Sequence, residues 1–249
     1  SGGGFIAFGE GDTFFKTQIA VTYRHKGQWN GAKPVFASEL QNTLEKLRAG
    51  EKLTVVYYGD SITTGANSSN TQAPFAPIWT QLVTAKLADA YRHGDIEQVN
   101  TAVGGTNAKW GCKNAKQLVA AYRPDLAVIA FGMNDAGTSA VSYAASILGI
   151  IEQTRRANPD AEFILVSPML PNREVRGFYG NQYQFESVLF GIAAFEQGIA
   201  AVPVWSMHKY MLESKRYYDM TGNNVNHPND FLARVYAQAV SSLLVCDNK

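Results

Sequence analysis

Val55-Val56-Tyr57-Tyr58-Gly59-Asp60-Ser61-Ile62-Thr63-Thr64-Gly65 is the stretch on which the reading of the whole chain turns. An apolar, β-prone run stops at Gly-Asp-Ser and then leads toward a long segment of helical periodicity. That order describes a strand delivering a serine to the carboxyl end of a parallel sheet, where α/β proteins bind ligands and do chemistry. Ser61 is therefore a candidate nucleophile, against the alternative that Asp60 and Ser61 only cap the helix that follows.

On either side of this stretch, apolar runs of strand length alternate with segments of helical period. Strands are predicted over 54–58, 97–102, 126–131, 162–166 and 200–205, and helices over 38–50, 74–91, 114–122, 139–157, 184–197 and 229–244. Ser38 and Gln41 have the form of a capping box for the first helix. Pro203 cannot donate to a ladder, which assigns the last strand to a sheet edge. Alternation of this kind means βαβ crossovers and a parallel sheet covered on both faces. The fold class is α/β: a three-layer α/β/α sandwich with about five parallel strands, over residues 36–249. Residues 1–35 are Gly-rich with β-like pieces at 4–8 and 17–23. They read as an appendage that packs on the main domain or as the remnant of an accessory β-rich domain. Trp29 within them reads as a packing residue.

Composition limits the partners. With 249 residues, 46% hydrophobic and 12% aromatic, the chain can bury one large core. A formal charge of +1 and the lack of any run of like charge argue against nucleic acid or an anionic membrane surface. No apolar stretch approaches the ~20 residues of a membrane span. The opening Ser1-Gly-Gly-Gly lacks signal-peptide architecture and reads as a linker, which leaves a secreted or periplasmic protein with its export signal removed as one reading. Nothing in the composition fixes an oligomeric state. Cys112 and Cys246 lack metal-ligand spacing and read as two buried thiols, with a disulfide in an exported protein as the alternative.

A nucleophilic serine needs a base, and there are four histidines. His25 lies in the appendage, His93 at a polar helix end, and His208 after the last strand, a weaker candidate. His227 stands in Asn223-Asn224-Val225-Asn226-His227-Pro228-Asn229-Asp230, a loop before the terminal helix from which an imidazole can reach a serine on another strand. Attack on a carbonyl also needs donors where negative charge develops. Gly104-Gly105 after the second strand offers close backbone N–H groups, and Asn134 after the third offers a side-chain amide. The alternatives are a turn and a helix cap respectively.

Taken together, Gly59-Asp60-Ser61, the run 100–105, Gly132-Met133-Asn134-Asp135 and His227-Pro228-Asn229 occur in the order and spacing of the blocks that define the SGNH hydrolases, the GDSL esterase/lipase superfamily. The resemblance covers about residues 50–245. It implies a flavodoxin-like sandwich and serine-dependent ester hydrolysis with no metal and no cofactor. Carried over by position, Ser61 is the nucleophile and one oxyanion donor through its N–H, Gly105 is a second donor, Asn134 a third, and His227 the general base. The family usually places an acid three residues before this histidine, and here that residue is Asn224. An amide carbonyl can orient an imidazole but cannot stabilise the imidazolium with a full charge. The orienting group is expected to be Asn224 or a main-chain oxygen, with Asp219 or Asp230 as the alternative.

The family spans lipases, thioesterases and carbohydrate acetylesterases. Trp110 and the aromatic-rich 178–183 loop read as stacking surfaces, and 67–70 as a polar rim. The N-terminal β-like pieces resemble the accessory β-sandwich of some carbohydrate esterases. The leading reading is therefore a hydrolase of a small-molecule or glycan ester, deacetylating carbohydrate. The other readings are a lipase or short-chain arylesterase, and a carbohydrate-binding protein that has lost the reaction.

Overall fold

In the computed structural model, residue 21 and residues 26–71, 73, 75–92 and 94–245 are described. The first strand, β1 (Leu53–Gly59), is buried along almost its whole length, as a strand with helices on both sides must be. Its alternation divides the core. Val55 and Tyr57 point into one apolar cluster, and Val56 and Tyr58 into the other. Beside β1 lie β2 (Ile96–Asn100), β3 (Leu126–Ala130), β4 (Glu162–Val166) and β5 (Ile199–Val202), all parallel, in the spatial order β2-β1-β3-β4-β5. This is the flavodoxin-like order, in which the chain reverses its direction of winding between β1 and β3 and opens a crevice there.

Helices cover both faces. On one side α1 (Gln41–Ala49), α3 (Trp79–Tyr91), α7 (Val204–Met211) and α9 (Asp230–Ser241) contribute to the first cluster. On the other, α4 (Ala108–Leu118), α5 (Ala140–Ala157) and α6 (Phe185–Phe195) contribute to the second. Two single-turn helices, α2 (Ser61–Thr64) and α8 (Tyr217–Met220), belong to the loops around the carboxyl ends of the strands.

Four local expectations change. Ser38 does not cap α1. Its N–H closes a turn on Phe36, the helix starts at Gln41, and Leu40 is the flanking residue with no side-chain cap. The capping oxygens come from Glu162 at the start of β4, which accepts from Asn42 N at 2.9 Å and Thr43 N at 2.8 Å. A carboxylate on exposed N–H groups at a helix N-terminus is favoured by both hydrogen bonding and the helix dipole. The helix predicted at 114–122 begins earlier, at Ala108, because Asn107 caps it by accepting from Trp110 N. The third helix begins at Trp79 rather than at residue 74. Finally, β5 ends at Val202, on the sheet edge as expected, but Pro203 leads directly into α7, so Val204 and Trp205 are helical.

Within the N-terminal segment, Trp29 and Ala32 pack against the first apolar cluster. Trp29 packs edge-on against Tyr210 with ring centroids 4.8 Å apart, and Ala37 N bonds Leu243 O at 2.8 Å. The β-like pieces at 4–8 and 17–23 fall outside the described residues apart from Val21, as do His25, His93 and Cys246. Cys112 is a half-buried free thiol.

Glu162→Ala leaves two N–H groups at the start of α1 without their acceptor. It should lower unfolding stability by about 2 kcal/mol, read from urea midpoints. Chemistry at Ser61 should be unchanged, because Glu162 lies at the opposite ends of the strands.

Candidate active site

Ser61 is the first helical residue after β1, in the one-turn helix α2. The turn is tight because Gly59 allows it: a Cβ there would lie 2.4 Å from Ala130 O and 2.3 Å from Thr63 Oγ1. Asp60 caps the turn by accepting from Ile62 N at 3.0 Å. Capping and presenting a hydroxyl are therefore compatible here: Asp60 caps, and Ser61 faces the crevice.

His227 meets that hydroxyl, with Nε2 2.8 Å from Ser61 Oγ. Its loop is rigid for identifiable reasons. Asn223 Oδ1 collects three backbone N–H groups, from Val225, Asn226 and His227, at 2.9 to 3.1 Å. Gly222 N bonds His227 O, Asn229 N bonds Met220 O, and Thr221 bridges Pro228 in antiparallel fashion. Asn229 then caps α9 through Phe231 N and Leu232 N. From below, Asn172 holds the carbonyls of Asn224 and Val225, and the Tyr217 hydroxyl donates to Val225 O as well.

At the other ring nitrogen the structure corrects the expectation. Nδ1 lies 2.5 Å from Asn67 Oδ1 and 3.1 Å from Asn223 Nδ2. Asn224, expected to orient the ring, instead makes the turn at φ 56° and offers its carbonyl to Asn172. Nor are the two candidate carboxylates at the ring. Asp219 caps α8 by accepting from Arg216 N, and Asp230 accepts from Ser69 N at 2.7 Å. The 67–70 stretch is also not a rim: Asn67, Ser68 and Ser69 are each 5% exposed. The pattern that could have flagged Asn67 is its amide type at a left-handed turn position, since Asn tolerates φ > 0 better than most residues. The partnership with His227 has no signature at a separation of 160 residues.

Of the candidate oxyanion donors, the glycine loop comes up to Ser61. Gly104 lies against it, for a Cβ at 104 would be 3.7 Å from Ser61 Cβ, and Gly105 follows at φ 76°. Asn134 half-faces solvent and donates one amide hydrogen to Thr106 O at 2.8 Å. An amide carries a second hydrogen, which is free to meet an oxyanion. Asn100 fastens this loop to the nucleophile turn through Thr63 O at 2.9 Å. Such a set can deprotonate a hydroxyl and hold a tetrahedral oxyanion.

The other sequence candidates have structural places. His208 is fully buried, its Nδ1 accepts from Leu170 N, and burial lowers its pKa to about 3, so the ring is neutral and bonded to Leu170, whereas the imidazole bonded to Ser61 is that of His227. Trp110 is half-buried on α4, its ring tilted against Tyr58 with centroids 6.5 Å apart. In the 178–183 loop, Phe178 and Tyr183 are exposed, and the Arg173 guanidinium covers the Tyr179 ring. Among the described residues no three His, Cys, Asp or Glu side chains gather as a metal would need, and no helix is long and apolar enough to cross a membrane.

The GDSL-like lipase/acylhydrolase family matches residues 57–234. Among solved structures, a mutant of Axe2, an acetyl-xylooligosaccharide esterase from Geobacillus stearothermophilus, superposes with TM-score 0.65 at 18% identity over 78% of this chain and 95% of that one. A two-domain esterase active on acetylated mannans, co-crystallised with mannopentaose, superposes with TM-score 0.66 at 18% identity over 86% of this chain and 55% of that one. Catalytic mutants of Axe2 alter a serine, a histidine and an aspartate three residues before that histidine. At these identities the likeness concerns the fold. No curated protein matches the chain in sequence.

Asp60 gives the site a pH signature. Burial, helped by the neighbouring Asp135, raises its pKa from 3.8 to about 7, against the hydrogen bond from Ile62. A folded value above the unfolded one means that the folded chain holds the proton more tightly. The stability it contributes is full below pH ~4 and is lost as pH rises through about 7, an upper bound of about 4 kcal/mol. Asp60→Asn keeps an oxygen for Ile62 N and should flatten this decline, measured as denaturation midpoints between about pH 4 and 8.

Proposed function

Because the chain belongs to the GDSL-like lipase/acylhydrolase family and is an ester hydrolase, we propose that it removes acetyl groups from acetylated carbohydrate through an acyl-enzyme on Ser61. The 2.8 Å contact between Ser61 Oγ and His227 Nε2 carries this reading. As Oγ attacks the acyl carbon, its proton passes to Nε2, and the carbonyl oxygen becomes an oxyanion within reach of the Ser61 and Gly105 N–H groups and the Asn134 amide. Collapse breaks the ester C–O bond, and the sugar hydroxyl leaves with the proton from Nε2. Water, deprotonated by the same nitrogen, then attacks the acyl carbon and releases acetate and free Ser61.

Two observations support carbohydrate as the alcohol portion. The structural neighbours include esterases acting on acetylated xylo-oligosaccharide and mannan. The loop after β4 presents Phe178 and Tyr183 at the same end of the sheet as Ser61, and exposed aromatic faces suit sugar rings. The shared chemistry would also serve a lipid or short-chain aryl ester, and chain length separates the two.

Acetate release from a panel of acetylated xylans and mannans should be measurable with the parent protein. It should fall by about 10³-fold or more in Ser61→Ala and in His227→Ala. A preference for octanoyl or longer aryl esters over acetyl would overturn the carbohydrate assignment in favour of a lipase.

A further inference from the structure

We propose that Asn67 is the positioning residue of His227: its side-chain carbonyl accepts the Nδ1 hydrogen and holds the ring in the tautomer whose Nε2 lone pair faces Ser61. The inference rests on the hydrolase reading above and adds the group that makes His227 competent. Two facing lone pairs repel, so an N···O separation of 2.5 Å requires a hydrogen between Nδ1 and Asn67 Oδ1.

Asn223 cannot supply the acceptor. Its own oxygen is occupied by three backbone N–H groups, which fixes the amide with its NH₂ toward the ring and toward Asn226 Oδ1. Of the two amides near Nδ1, Asn67 is the one placed to accept, at the shorter distance of 2.5 Å; with Nδ1 carrying its hydrogen, the Asn223 NH₂ at 3.1 Å is a contact and not a hydrogen bond to the ring.

Asn67 is itself held. It sits at φ 61° and is 5% exposed, in a backbone region that Asn tolerates. The next two residues are anchored, Ser68 Oγ on Gly65 O at 2.6 Å and Ser69 N on Asp230 Oδ1 at 2.7 Å. Asp230 begins α9, directly after the histidine loop. One carboxylate thus ties the Asn67 loop to the element that carries His227, and fixes the distance between the two partners.

Proton bookkeeping in this arrangement is simple. The Ser61 proton moves to Nε2 and later to the leaving alcohol, while the Nδ1 hydrogen stays on the ring throughout. Asn67 gains neither proton nor charge. It meets the transient imidazolium with a dipole alone, supplied from the nucleophile's own loop rather than from the residue three positions before the histidine.

The test uses substitutions that respect the backbone. Asn67→Gly removes the acceptor while keeping a residue at ease with positive φ. It should lower kcat for an aryl acetate about 10- to 100-fold with KM within about twofold, as loss of an orienting partner does. Asn67→Asp offers an oxygen at the same place and should keep kcat within about threefold of the parent or exceed it. Asn224→Gly, also at positive φ and keeping its carbonyl for Asn172, should stay within about threefold of the parent. The proposal is overturned if Asn67→Gly retains parental kcat, if Asn67→Asp is as impaired as Asn67→Gly, or if Asn224→Gly is equally impaired. Nitrogen NMR of the ¹⁵N-histidine-labelled parent needs no variant: a protonated Nδ1 at His227 supports the proposal, and an unprotonated one overturns it. A parent that takes no fluorophosphonate at Ser61 would sink the hydrolase reading, whereas the NMR result bears on Asn67 by itself.

Discussion

A serine hydroxyl is a weak nucleophile until a base is held on it, and Ser61 and His227, the pair proposed for those roles, are separated by 166 residues of chain. Everything else in the fold can be read as the means of closing that separation. The parallel sheet sends all its strand ends to one side, and the reversal between β1 and β3 leaves a crevice there. β1 leads into the turn that carries the serine, the loops after β2 and β3 carry Gly104 and Asn134, and the turn before α9 carries His227. Because each loop springs from a strand or helix buried in one of two apolar clusters, the geometry is settled before a substrate arrives. That is where the entropic advantage of an enzyme lies.

The chemistry of the surroundings is unusual in being carried by amides. Asn67, Asn100, Asn134 and Asn172 each fasten one loop to another through side-chain hydrogen bonds, while Asn223 braces the histidine loop from within and Asn229 caps α9. Carboxylates, by contrast, work at helix starts. Asp60 caps α2, Asp135 accepts from Ala108 N where α4 begins, and Asp230 binds Ser69 N. Burial raises the pKa of both Asp60 and Asp135 above the ordinary carboxylate value.

Most of the fold was legible in the sequence because its signals are local. Alternating apolar periods reveal the five strands and most helices, and the run at 126–131 needs no tertiary information to be read as buried. The serine, the glycine loop, Asn134 and the histidine loop were readable as candidates for the same reason: each follows a strand or precedes a helix. What escaped was partnership at long range. The capping of α1 by Glu162 and the contact of Asn67 with His227 each join residues more than a hundred positions apart. Nothing in the residues near Ser38 or Asn224 signals that the expected local partner has been replaced. The helical start of α7 escaped for a different reason, because Val204 and Trp205 extend an apolar run whose direction changes only at Pro203.

The carboxylate that caps α1 also bears on the order in which the molecule can assemble. The first helix of the domain borrows its N-terminal acceptor from a residue 120 positions later. During synthesis, then, α1 leaves the ribosome with bare N–H groups and no help from its own sequence. A helix of this length has little stability in isolation. It becomes a fixed part of the molecule only after β4 has been made and has joined β3, more than half-way along the chain. β4, an interior strand of the sheet, therefore also supplies the N-terminal acceptor of the domain's first helix, which cannot be capped until β4 has been made.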